Sequence, residues 1–73
     1  MGDNMDKKIN DFILFCIEYY KMENKLSGKE VYDIFKKYGV LEYLEEGYEM
    51  LHTQGEKWIV NDIKEFIKNK KED

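Results

Sequence analysis

Leu26-Ser27-Gly28-Lys29-Glu30, closed nine residues later by Gly39, marks both ends of one helix and the polarity of the next. Ser27 and Glu30 have the spacing of a capping box. The serine oxygen accepts the backbone N–H of Glu30, and the glutamate carboxylate accepts the backbone N–H of Ser27. A helix therefore starts here, and losing the Ser27 cap costs about 1 kcal/mol. Val31, Ile34, Phe35 and Tyr38 follow at i, i+3, i+4 and i+7, one apolar face of a 3.6-residue period. Gly39 stands where a helix end favours a left-handed residue, so the same helix also stops legibly.

Working outward toward the N-terminus, residues 6–23 read as a first helix. Ile9, Phe12, Ile13, Phe15, Cys16, Ile17, Tyr19 and Tyr20 cover well over half its circumference. A stripe of about 100° suffices for a surface helix. This helix is therefore expected at the centre, touched by several others. Beyond Gly39, residues 41–52 read as a third helix divided lengthwise. Glu42, Glu45, Glu46 and Glu49 fall in one arc, and Leu41, Leu44, Tyr48 and Leu51 in the opposite one. Gly47 inside it costs about 1 kcal/mol against alanine and marks either a close helix approach or a kink. After the polar break Thr53-Gln54-Gly55-Glu56, residues 57–60 read as a short extended piece and residues 61–70 as a fourth helix. Trp58 points away from the face shared by Ile59, Val60, Ile63, Phe66 and Ile67, so it either precedes the helix or is exposed. The expectation is an all-α, four-helix domain over 1–73, ordered over about 6–68 with frayed ends, helix 1 central and a helix 2–helix 3 hairpin packed on it.

The totals bound the object further. Seventy-three residues allow one small domain, and the single cysteine cannot form an internal disulfide. Packing must supply the stability, and 42% hydrophobic residues with six Tyr, four Phe and one Trp provide a small aromatic core. The longest apolar run, Phe12 to Ile17, is far short of the ~20 residues that cross a bilayer, and residues 1–8 lack the apolar segment of a signal peptide. A free Cys16 suits a reducing compartment, so a cytoplasmic protein is expected.

No catalytic set emerges, and neither a cofactor nor a metal site is expected. Cys16 lies in an apolar helix, where a thiol is inert. Ser27 is accounted for as a cap. His52, the only imidazole, falls in the last turn of the third helix, where it suits the helix dipole. The Glu42/Glu46 and Glu45/Glu49 pairs repel slightly at i, i+4 spacing. They lack a second element to complete a metal site and read as a solvated acidic face or an electrostatic docking surface.

Helices 2 and 3 resemble a helix–turn–helix in outline. The would-be recognition helix, however, brings four glutamates toward a polyanion, and all twelve basic residues of the chain are lysine, with net charge −4. That argues against DNA binding by this pair. A nucleic-acid-binding regulator using Lys64, Lys68, Lys70 and Lys71 is the alternative reading. Protein–protein interaction fits best. Tyr32, Tyr43 and Trp58 sit off or at the edge of their core faces, as hot-spot aromatics do. The candidate interaction surface is Glu42, Tyr43, Glu45, Glu46, Glu49, His52 and Trp58; a homo-oligomer is also compatible.

The run Phe12-Ile13-Leu14-Phe15-Cys16-Ile17-Glu18-Tyr19-Tyr20, then Leu26-Ser27-Gly28-Lys29-Glu30-Val31-Tyr32, resembles a family of short bacterial proteins. Phe35-Lys36-Lys37-Tyr38-Gly39-Val40, Leu51-His52-Thr53 and Trp58-Ile59-Val60 before Asp62-Ile63 continue the likeness, which spans roughly residues 10–67. The family is known as a domain of unknown function, number 3791. The resemblance implies a gene often placed beside one for an ADP-ribosyltransferase-like protein. It implies, by analogy, that this chain is the small, acidic, non-catalytic partner in a toxin–antitoxin arrangement. Trp58 replaces the usual tyrosine, a conservative departure.

Overall fold

The computed structural model describes residues 3–72 and contains only helices among them: α1 (Asp3–Asn24), α2 (Gly28–Lys37), α3 (Val40–Glu46), α4 (Tyr48–Leu51) and α5 (Glu56–Glu72). α1 is central, as expected, and packs on α2, α3 and α5. α2 and α3 form the hairpin against it. The core gathers Cys16 and Tyr20 from α1, Val31 and Phe35 from α2, Val40 and Leu44 from α3, Leu51 from α4, and Ile59, Val60, Ile63 and Ile67 from α5. Tyr20 meets Phe35 edge-on at 5.4 Å, within the favourable range for aromatic pairs. No helix among the described residues is long and apolar enough to cross a membrane.

The ends of α2 are built as the sequence indicates. Glu30 N–H donates to Ser27 Oγ at 3.1 Å and Ser27 N–H donates to Glu30 Oε1 at 2.9 Å, completing the capping box. Gly39 follows with φ +75°, a left-handed conformation that glycine adopts without penalty. α1 ends on a less obvious device. Lys25 takes φ +54°, and the N–H of Leu26 reaches back to the carbonyl of Lys21 at 3.1 Å. This is the long bond of a Schellman turn, with lysine where glycine is usual.

Two local expectations need correction. The third helix is not continuous over 41–52 but kinks at Gly47, giving five segments. A Cβ built on Gly47 lies 2.8 Å from Leu51 Cδ1 and 3.2 Å from the Tyr43 carbonyl, so the space is filled by the buried Leu51 rather than by helix 1. Residues 57–60 are not extended: they belong to α5, which opens at Glu56 rather than at residue 61 and runs to Glu72. Ile59 and Val60 favour strands intrinsically, but in a helix they join Ile63 and Ile67 on one buried face. Burial outweighs a propensity worth only tenths of a kcal/mol.

Candidate interaction surface

The residues singled out from sequence fall into three environments. Tyr43 is half-buried, and both ends of its side chain are engaged. Its ring stacks on Phe66 with centroids 4.3 Å apart, and its hydroxyl donates to Asp62 Oδ2 at 2.5 Å. Burial, then the Asp62 bond and the Asp62 charge, push the phenol up to about 12. Tyr43 thus ties α3 to α5.

Glu42, Glu45, Glu46 and Glu49 are all exposed. The ion pairs of the described residues are Lys7–Asp11, Lys21–Glu18 and Lys29–Asp33, so this row is not neutralised by direct pairing. The row faces two clefts. Glu42 and Glu45 line one with Asn10, Ile13, Tyr32 and Leu41. Glu42 and Glu46 line another with Tyr43, Phe66, Lys36, Lys37 and Lys70.

His52 lies in a third groove, of about 260 Å³, between α1 and α4, with Lys8, Asp11, Phe12, Phe15 and Tyr48. Its ring lies parallel to that of Tyr48 at 4.3 Å, and its Nδ1 stands 2.7 Å from the Tyr48 carbonyl oxygen. A carbonyl only accepts, so Nδ1 carries the hydrogen. Phe12 meets Tyr48 edge-on at 5.6 Å, and Phe15 stacks on Tyr19 at 6.2 Å. The result is an aromatic wall across two helices. Phe15 is 57% exposed in it, and Met22, 66% exposed, continues its edge of α1 at the next i+7 position. Trp58 is 46% exposed within α5, which settles its alternative as an exposed helical residue.

Sequence reasoning did not single out the α1–α4 groove. Its signal was present: Phe12, Phe15, Tyr19 and Met22, spaced by three, four and three, form an edge stripe beside the core stripe of α1. Phe12, Phe15 and Tyr19 also belong to the wide apolar face of a central helix, and spacing alone does not tell which of them stay exposed. The pairing of Lys36 and Lys37 with Lys70 and Lys71 was likewise invisible, because it joins the C-terminal turns of two helices distant in sequence. Cys16 is fully buried and its thiol is pushed up to about 12 by desolvation. Among the described residues no three His, Cys, Asp or Glu side chains are grouped so as to hold a metal ion.

A family model described as a protein of unknown function (DUF3791) matches residues 11–70. The chain belongs to this family. The match runs from the start of the aromatic wall on α1 to Lys70 in the last turns of α5, so all three clefts lie almost wholly within it. No curated protein matches the chain, and no solved structure does.

Proposed function

We propose that this protein is a non-catalytic, cytoplasmic interaction module that binds another protein, as the antitoxin-like partner of the product of an adjacent gene. The observation that carries this reading is the aromatic wall of Phe12, Phe15, Tyr48 and His52 between α1 and α4, in which Phe12 and Tyr48 are half-buried and Phe15 stands exposed. Bulky apolar side chains left in water in so small a domain mark a surface that gains by being covered. Phe15 and Trp58 are of the types that dominate interface energetics. The unpaired glutamate row of α3 and α4, on a chain of net charge −4, favours a basic partner and speeds its approach. Co-expression of the tagged chain with the product of its neighbouring gene tests this. A stoichiometric complex supports the reading, and a chain that elutes alone contradicts it.

A nucleic-acid-binding regulator is the second reading. It is favoured by the convergence of Lys36, Lys37, Lys70 and Lys71 near the rings of Tyr38 and Phe66. It is opposed by Glu42 and Glu46 in the same cleft, which repel phosphate. A gel shift that falls steeply with salt supports it; no shift at low salt ends it.

A further inference from the structure

We propose that the cleft between the C-terminal ends of α2 and α5 and the acidic side of α3 is a self-complementary surface through which the chain pairs with a second copy of itself. The cleft has a basic wall, Lys36, Lys37 and Lys70, and an acidic wall, Glu42 and Glu46, above the stacked rings of Tyr43 and Phe66.

Two of these lysines, Lys37 and Lys70, rest on aromatic rings without being neutralised. Lys37 Nζ lies 5.3 Å from the centre of the Tyr38 ring and Lys70 Nζ 5.4 Å from that of Phe66. Lys71, beside the cleft, places its Nζ 5.7 Å from the centre of the same Tyr38 ring. Cation–π contacts of this length fix an ammonium group but leave its N–H donors free. The glutamates across the cleft take part in none of the ion pairs of the described residues. Two walls of opposite charge, neither neutralised by an ion pair among the described residues, thus stand side by side.

Within this cleft a purely basic partner is repelled by the lysines and a polyanion by the glutamates, whereas Glu45 and Glu49 lie outside it. A surface bearing both signs at the same spacing satisfies both walls, and a second copy, turned about a two-fold axis, is such a surface. In that arrangement the acidic wall of each protomer meets the basic wall of the other, as an isologous interface requires. The net charge of −4 on each copy opposes approach at long range. Near 0.15 M ionic strength that repulsion is screened beyond about 8 Å, whereas the crossed pairs act within it.

The test measures the mass of the full-length chain by sedimentation equilibrium, from micromolar to millimolar concentration. The variants are Glu42→Lys/Glu46→Lys and Lys36→Glu/Lys70→Glu, each checked by circular dichroism for native helicity. The wild type is expected to reach twice the monomer mass, and each reversed variant alone to remain monomeric. An equimolar mixture of the two variants is expected to dimerise again, because each then offers the other a wall of opposite sign. For the wild type alone, dimerisation must weaken at least tenfold between about 0.15 and 1 M salt, where the Debye length falls from about 8 to 3 Å. A wild type that stays monomeric throughout overturns the proposal. So does a dimer indifferent to both reversals, a mixture that fails to reassociate, or a dimer insensitive to salt. The isolated chain is used throughout, so the result stands independently of whether a foreign partner binds.

Discussion

Tyr43 and Asp62, nineteen residues apart, are joined by a hydrogen bond that ties α3 to α5 beside the stacked Tyr43 and Phe66 rings. The pair holds the acidic helix at a fixed distance from α5. Replacing Tyr43 by phenylalanine keeps the stack and removes the donor, and the expected loss is about 1 kcal/mol. Alanine removes the stack as well and is expected to cost roughly 2 kcal/mol or more. Urea unfolding of the two variants measures both. Equal stability of Tyr43→Phe and wild type would show that the bond contributes nothing.

Alkaline pH acts on the same residue. Burial, followed by the Asp62 bond and charge, raises the Tyr43 phenol from 10.0 to about 12, and burial raises the Cys16 thiol from 9.0 to about 12. In both cases the folded state holds its proton more tightly than the unfolded chain does. Their contribution is therefore complete below pH 9.0 and is lost as pH rises from there toward about 12. The unfolding midpoint is expected to fall over that window, and less steeply in Tyr43→Phe. A thiol reagent at neutral pH should label Cys16 only through opening of the fold, orders of magnitude more slowly than in denaturant. Prompt labelling of the native protein contradicts the burial.

How much of this was legible beforehand follows from the range of each interaction. The Ser27–Glu30 box and the turn at Gly39 depend on contacts three to five residues apart, so composition and spacing disclose them. The kink at Gly47 was readable as one of two options; choosing between them required knowing that Leu51 fills the space beneath it. The 57–60 segment misled because Ile59 and Val60 favour strands, and only their burial with Ile63 and Ile67 decides for helix. The acidic row could be laid out by angular stepping along one helix. The aromatic wall needs α4 beside α1, and the lysine wall needs the end of α5 beside the end of α2. Neither is encoded within a single helical period.

The helix junctions give opposite mutational signs. Alanine at an unstrained helical glycine is stabilising by up to about 1 kcal/mol. At Gly47 the new methyl would meet Leu51 Cδ1 at 2.8 Å, so Gly47→Ala is expected to destabilise, by about 1–2 kcal/mol. At Lys25 the left-handed backbone burdens any side chain, so Lys25→Gly is expected to stabilise by up to about 1 kcal/mol. Thermal melts of the two variants should move in opposite directions. A stabilised Gly47→Ala would mean the kink is not sterically required.

Charge reversal at Glu45 and Glu49 probes the acidic row away from the α2–α5 cleft. If a basic protein docks there, Glu45→Lys/Glu49→Lys should weaken its binding about tenfold or more, chiefly by slowing association. Affinity unchanged by the reversal removes the acidic row from the recognition surface while leaving the aromatic wall in question.

A partner protein is expected to cover the aromatic wall between α1 and α4. Titration calorimetry of the purified neighbouring gene product into this chain, wild type and Phe15→Ser, tests it most directly. Phe15 is exposed and supports no core contact in the buried cluster, so its replacement should leave the fold intact. Stoichiometric binding is expected of the wild type, with a loss of roughly thirtyfold or more in Phe15→Ser, the signature of a residue worth about 2 kcal/mol. Absence of binding by the wild type, or equal affinity of the two proteins, would contradict it.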